Sequence, residues 1–233
     1  MEGKHILVTG ASRGLGRSIA RKLHEASARI SITARNLGEL ESLKNELGDR
    51  VEIYGADLND KTQRKNMLRY FREKSGPVFG LVNNAGAGWY RPFDAFSEEE
   101  DEFMVNLNLT SLIALTREVL PDMKAAQNGS ILNVASDLAR RPMPNMAVYT
   151  ATKHALAGFS QSLARELKSF NIKVQMILPG MIDTDFGDGS AGNNAPPNVL
   201  DPNDVADVVV FMMNRPSYLL MDEVHIHPIN QDF

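Results

Sequence analysis

Short apolar, β-branched runs punctuate the chain at His5–Thr9 (HILVT), Arg29–Thr33 (RISIT), Val51–Tyr54, Val78–Val82, Ser130–Val134 (SILNV), Ile172–Leu178 and Glu223–Ile226. Each is short and bounded by turn formers, which reads as a buried strand. The intervening segments carry helical spacing. Leu15–Ala26 places Leu15, Ile19, Ala20 and Leu23 on one face. Further helices are predicted over Glu39–Leu47, the charged stretch Lys61–Lys74, two pieces within Glu98–Ala125, the long Ala147–Ser169, and Asp204–Met213. Strands alternating with helices predict an α/β fold: a doubly wound, mostly parallel seven-stranded sheet with helices on both faces. No Pro/Ser-rich linker divides the chain, so residues 1–233 read as a single domain. One low-complexity segment, Gly187–Pro197 (GDGSAGNNAPP), reads as a mobile loop.

Composition narrows the chemistry. A net charge of −4 with interspersed signs leaves no nucleic-acid footprint. The absence of cysteine excludes disulfides, thiolate nucleophiles and cysteine-held zinc. No apolar run is long enough to span a bilayer, and no leader-like segment precedes the first strand, so a cytoplasmic protein is expected.

Gly10, Gly14 and Gly16 lie between the first strand and the first helix, in Thr9-Gly10-Ala11-Ser12-Arg13-Gly14-Leu15-Gly16. Glycines let a backbone turn tightly against a pyrophosphate, and the helix that starts there offers free N–H groups. A dinucleotide is therefore the expected ligand, with Gly10, Ser12, Arg13, Gly14, Leu15 and Gly16 lining it. The end of the second strand, where an acid would take ribose hydroxyls, reads Thr33-Ala34-Arg35-Asn36. Arg35 and Arg13 together suit a 2′-phosphate, which favours NADP(H) over NAD(H).

Tyr149 and Lys153 are four residues apart on the long helix and share a face. An ammonium beside a phenol favours phenolate and makes tyrosine a usable acid or base. These motifs jointly resemble the short-chain dehydrogenase/reductase family, in its short single-domain branch, from about His5 to Phe211. The glycine spacing matches that branch. Asp57 and Leu58 resemble its adenine-contacting pair, Asn83-Asn84-Ala85-Gly86 its turn after strand four, and Pro179-Gly180-Met181-Ile182-Asp183-Thr184 its segment over the nicotinamide. The resemblance implies a Rossmann fold and cofactor contacts from Asn84, Ala85, Gly86, Tyr149, Lys153, Pro179, Gly180, Ile182 and Thr184. It also implies a catalytic set of Asn108, Ser136, Tyr149 and Lys153. Asn108 is chosen over Asn106 because Ser111 and Ile113 stand at the family's offsets from it.

In the implied reaction Tyr149 exchanges a proton with the substrate oxygen. Lys153 lowers the phenol's pKa and holds ribose, Ser136 donates to the developing oxyanion, and Asn108 holds a water. The expected activity is hydride transfer between NADP(H) and a small-molecule carbonyl or secondary alcohol. A 3-oxoacyl-thioester reductase and a non-catalytic NADP-binding sensor are the alternatives. A homodimer or homotetramer is the expected assembly. Gly88–Pro92, Leu138–Met146 and the segment after Thr184 are expected to line the substrate site, with Trp89 and Tyr90 against a ligand or a subunit. Sixteen residues separate Thr184 from Asp201, an insert short enough to suggest an open pocket. Asp222–Pro228 replaces the family's glycine-rich ending. His225 and His227 there read as packing residues rather than a metal pair, and no metal is expected.

Overall fold

The computed structural model describes residues 1–187 and 199–231. Seven strands form one sheet: β1 (His5–Thr9), β2 (Arg29–Ala34), β3 (Val51–Gly55), β4 (Gly80–Asn83), β5 (Gly129–Val134), β6 (Ile172–Pro179) and β7 (Glu223–Ile226). All neighbours are parallel, in the order β3-β2-β1-β4-β5-β6-β7. Chain order reverses between β1 and β4, and ligands of such sheets bind at that crevice, beyond the strands' carboxyl ends. Seven α-helices complete the fold: α1 (Gly14–Glu25), α2 (Leu37–Leu47), α3 (Lys61–Ser75), α4 (Glu98–Val105), α5 (Ser111–Ala126), α6 (Ala147–Leu167) and α7 (Pro202–Met213). None is long and apolar enough to cross a membrane. Segment 187–197, expected to be a mobile loop, lies outside the described residues except for Gly187.

The strand pattern sorts the core into two layers, because successive side chains point to opposite faces. Ile6 and Val8 of β1 join Ile19, Leu23, Leu40, Val205 and Val209 from α1, α2 and α7. Leu7, between them, joins Met67, Phe71, Leu115, Val119 and Leu163 from α3, α5 and α6. Both layers are closed to water, which is why the strands are apolar on both faces.

Two boundaries differ from the sequence reading for local reasons. Val78 precedes β4 because its N–H is taken by Asp122 Oδ2 at 3.0 Å instead of a strand. Asp122 is also paired with Arg72 at 2.9 Å. α7 begins two residues earlier than Asp204, since Asp201 accepts from Asn203 N at 2.7 Å and Pro202 takes the first helical turn.

A third difference shapes the site. The helical stretch over 98–126 is interrupted by a π-helical turn, Asn106–Thr110, where Ser111 N–H reaches back five residues to Asn106 O. Ser111 Oγ donates to Leu107 O at 3.0 Å.

The crevice itself is held by backbone approach too close for side chains. A Cβ on Gly16 would stand 2.2 Å from Gly10 O, and one on Gly10 would stand 2.8 Å from Ala85 Cα. Gly10 also has φ +65°. These glycines seat α1 directly against β1 and the turn after β4. Gly16→Ala is expected to force the loop apart and cost about 1–3 kcal/mol, readable as a lowered midpoint in chemical denaturation.

Candidate active site

Four strand ends contribute. Beyond β1, Asn84 Nδ2 donates to Thr9 O at 3.0 Å and Gly10 O at 3.1 Å. Thr9 Oγ1 donates to Val82 O and accepts from Asn84 N and Ala85 N. The glycine loop and the turn after β4 are thereby one rigid unit. Across the crevice, Thr184 Cγ2 lies 3.2 Å from where a Gly14 Cβ would be, so the segment after β6 overhangs the same loop.

The glycine loop ends at a helix start with unsatisfied donors. Asn36, Asp60, Ser97 and Asp201 cap α2, α3, α4 and α7 with side-chain acceptors. At α1 the capping position is Arg13, which makes no such bond, and no acid occupies the first turn. Free N–H groups and a positive dipole end beside a Cβ-intolerant cradle fit a pyrophosphate. Arg13 and Arg35 are both exposed, and neither pairs with a carboxylate among the described residues. Arg35 stands 5.7 Å over the Phe103 ring. It also borders a depression of about 300 Å³ with Leu37, Gly55, Ala56, Asp57 and Gln63. Asp57 lies there with Oδ1 accepting from Asn59 N, while Leu58 is buried behind it.

Tyr149 and Lys153 face this crevice from α6. Both are almost fully buried, at 7% and 6% exposure. Gly88 presses on one side of the phenol ring, close enough that a Cβ there would meet Tyr149 Cδ2 at 2.5 Å. Phe186 stands edge-on to the same ring, centroids 5.7 Å apart. Lys153 Nζ lies 5.4 Å from the ring centroid and donates to Val134 O at 2.9 Å. Tyr149 and Lys153 thus sit under a cover made by the loops after β4 and β6.

Burial reverses the expected electrostatics. Desolvation pushes the Tyr149 phenol well above its ordinary value. The charge of Asp137 adds to that rise, and a hydrogen bond with Ser136 partly offsets it. Burial also pulls Lys153 down to about 8. The sequence reading has the ammonium driving the phenol toward phenolate. Desolvation acts on both groups toward their neutral forms.

Ser136 caps a short 3-10 turn, Asp137–Ala139, accepting from Leu138 N at 3.2 Å. Its own proton goes to Asp137 Oδ1 at 2.9 Å, rather than into the crevice. Asn108 is buried in the π-helical turn, whereas Asn106 is exposed at the end of α4. Asn108 exchanges two bonds with the Ala87 backbone, both at 2.8 Å, and donates to Thr152 Oγ1 at 3.2 Å. Thr152 in turn donates to Tyr149 O at 2.7 Å. The Asn108 amide thereby ties the β4 turn to α6.

Sequence reasoning missed Asp137, Gln231 and Phe186. Asp137 carried a signal, a charged residue just beyond a predicted buried strand and next to a singled-out serine. Gln231 and Phe186 carried none, because their partners are distant or lie on another loop. Pro179 and Gly180 end β6, with Gly180 N donating to Ile226 O at 2.8 Å. Ile182 bridges Leu200. Arg140 is paired with Glu223 and so is not a free cation at the substrate side. Trp89 packs on Phe96 and Phe103, leaving Tyr90 exposed. His225 pairs with Glu223, while His227 lies beyond β7 with Nδ1 near Pro228 O. Among the described residues no group of three potential metal ligands occurs.

Residues 4–194 match the family model described as short chain dehydrogenase. An uncharacterized oxidoreductase of Staphylococcus epidermidis is 31% identical over 226 residues, 97% of each chain. Among solved structures, a serine dehydrogenase in a closed form complexed with NADP+ superposes with a TM-score of 0.92 at 30% identity. It covers 98% of this chain and 96% of its own. A 3-ketoacyl-(acyl-carrier-protein) reductase from Brucella melitensis, complexed with NADH, gives 0.89 at 28% identity and covers 97% of both.

The lowered Lys153 sets a pH signature. Below about pH 8 the amine is protonated in folded and unfolded chains alike, and the folded state carries the full cost of its burial. As pH rises from 8 toward 10.5 the folded chain sheds that proton first, so stability rises. Above 10 the raised phenol opposes this, because the unfolded chain ionises its tyrosine first. Lys153→Met should therefore be more stable than the parent at pH 7, by up to about 3 kcal/mol, with the difference shrinking by pH 10. Parallel urea denaturation at the two pH values checks it.

Proposed function

The chain belongs to the short-chain dehydrogenase family, and on that premise we propose that it is an NADP(H)-dependent reductase of small carbonyl compounds. The observation that carries this reading is the phenol of Tyr149, buried beside Lys153 at the crevice edge next to the uncapped α1. A phenol held in its acid form is suited to giving a proton to a developing alkoxide, which is the reductive direction.

NADPH supplies the hydride when bound. The glycine loop, with the free N–H groups of α1, takes the pyrophosphate. Ala34 in place of an acid, with Arg35 and Arg13 flanking the ribose position, supports a 2′-phosphate. Lys153, whose amine donates to Val134 O, would hold the ribose hydroxyls of a bound cofactor and, when protonated, would keep the field around the phenol positive. Tyr149 protonates the substrate oxygen. Ser136 lies beside that oxygen's position and helps to orient the Tyr149 hydroxyl. Asn108 holds Ala87 and Thr152, and through them the α6 turn that aims Tyr149. Phe186 and Gly88 exclude water over the phenol, so substrate enters by displacing Phe186.

Large apolar side chains stand exposed on the loops around the crevice. Tyr90 and Phe93 after β4, Met143 after β5, and Met181 and Phe186 after β6 are all exposed. They favour a carbonyl compound with apolar flanks over a polyanionic one.

Tyr149→Phe should bind NADPH nearly as the parent does, seen by cofactor fluorescence, and lose turnover by at least about a hundredfold. A Phe variant that reduces ketones at the parent's rate would remove Tyr149 from the proton route. Arg35→Ala should lower kcat/KM with NADPH about ten- to a hundredfold and leave NADH values nearly unchanged. An unchanged ratio of the two would reject the 2′-phosphate assignment.

A further inference from the structure

Asp137 follows Ser136 in sequence and is buried to 6% exposure. Its Oδ1 accepts the Ser136 hydroxyl at 2.9 Å. Its Oδ2 accepts from Gln231 Nε2. Gln231 lies beyond β7, in a turn closed by its own N–H to Pro228 O at 3.1 Å. The other end of its amide, Oε1, accepts from Met181 N at 3.0 Å. A Cβ on Gly180 would lie 2.2 Å from that Oε1, so glycine is needed for the amide to reach. One side chain thus clamps the turn that carries Ser136 to the segment that follows β6. The Asp137 carboxylate itself has no role in the mechanism above.

We propose that Asp137 is a positioning residue: clamped by Gln231, its carboxylate fixes the Ser136 hydroxyl and biases the site toward giving a proton rather than taking one. The inference rests on the reductase reading. A carboxylate only accepts hydrogen bonds, and a serine hydroxyl has one proton to give. With that proton on Asp137, Ser136 has none left to donate to the Tyr149 oxygen, a donation that would favour phenolate. A negative charge one serine away from the phenol also opposes phenolate. Ionisable groups stand on every element around Tyr149. They are Lys153 on α6, Asp137, Arg140 and Arg141 after β5, Arg91 after β4, Asp183 and Asp185 after β6, and His227 near Gly180. Arg140 is engaged by Glu223 and Arg91 by Glu100, and the charge of Asp137 acts on the phenol.

Asp137→Asn keeps the shape and removes the charge. Tyrosinate absorption is followed with NADP+ bound, subtracting the matched Tyr149→Phe proteins. Tyr149 should ionise about one pH unit lower in Asp137→Asn than in the parent. This measurement needs no turnover. A parent that reduces no carbonyl would sink the function reading and leave this test standing. In the reductase assay, Asp137→Asn should lose about tenfold in kcat with the KM for NADPH within twofold. In Asp137→Asn/Gln231→Glu donor and acceptor are exchanged, the Asn amide now facing a carboxylate that still accepts from Met181 N. That double variant should recover most of the lost kcat. An unchanged Tyr149 midpoint, or a double variant no better than Asp137→Asn, would overturn the proposal.

Discussion

Everything at the carboxyl edge of the sheet is registered to the bonds that Asn84 and Thr9 make across the β1–β4 crevice. Strands β1 and β4 are neighbours in space but distant in sequence, and their loops leave in different directions. Asn84 closes that divergence by donating to the two carbonyls at which the glycine loop begins. The same contact fixes Ala85 against Gly10, and from there the chain runs through Gly86 and Ala87 to Asn108. Asn108 passes the constraint to Thr152 and so to the backbone of Tyr149. The glycine loop and Tyr149 are thus positioned by a linked set of hydrogen bonds, part-buried at the crevice and buried at Thr152, where the low-dielectric surroundings strengthen them.

Burial then decides what the positioned groups can do. A tyrosine and a lysine placed together in water would differ little from their free forms. Under Phe186 and Gly88 both lose hydration, and the neutral form of each gains. The arrangement costs stability, as function-bearing sites commonly do. It also gives a site whose resting state is an acid, with the lysine close enough to neutrality to respond to an incoming charge.

The fold was legible because its two periodicities are clean. Strands buried on both faces read as short apolar runs, and α1 shows its stripe at Leu15, Ile19 and Leu23. The glycine loop was legible because close backbone approach leaves no alternative residue type. Tyr149 and Lys153 were legible as a pair because helical spacing is local. Their electrostatic sense was not, since it depends on Gly88 and Phe186, which arrive from other loops and carry no mark of it in sequence. The Gln231 clamp was hidden for the same reason, its partners lying 50 and 94 residues away. The π-helical turn was also invisible, because its residues, NLNLT, have ordinary helical spacing.

That turn has a consequence for how the chain can change over generations. One residue more than a regular helix needs is accommodated between α4 and α5. Deleting one residue there would restore ordinary winding, and the helices on either side would keep their faces because the widened turn had already absorbed the extra residue. Leu115, Val119 and Met123 would stay in the core while Asn108 parted from Ala87. The extra residue therefore serves the Asn108 contact and not the packing of α5, and a relative one residue shorter at that point would keep the fold while giving up the tie between the two loops.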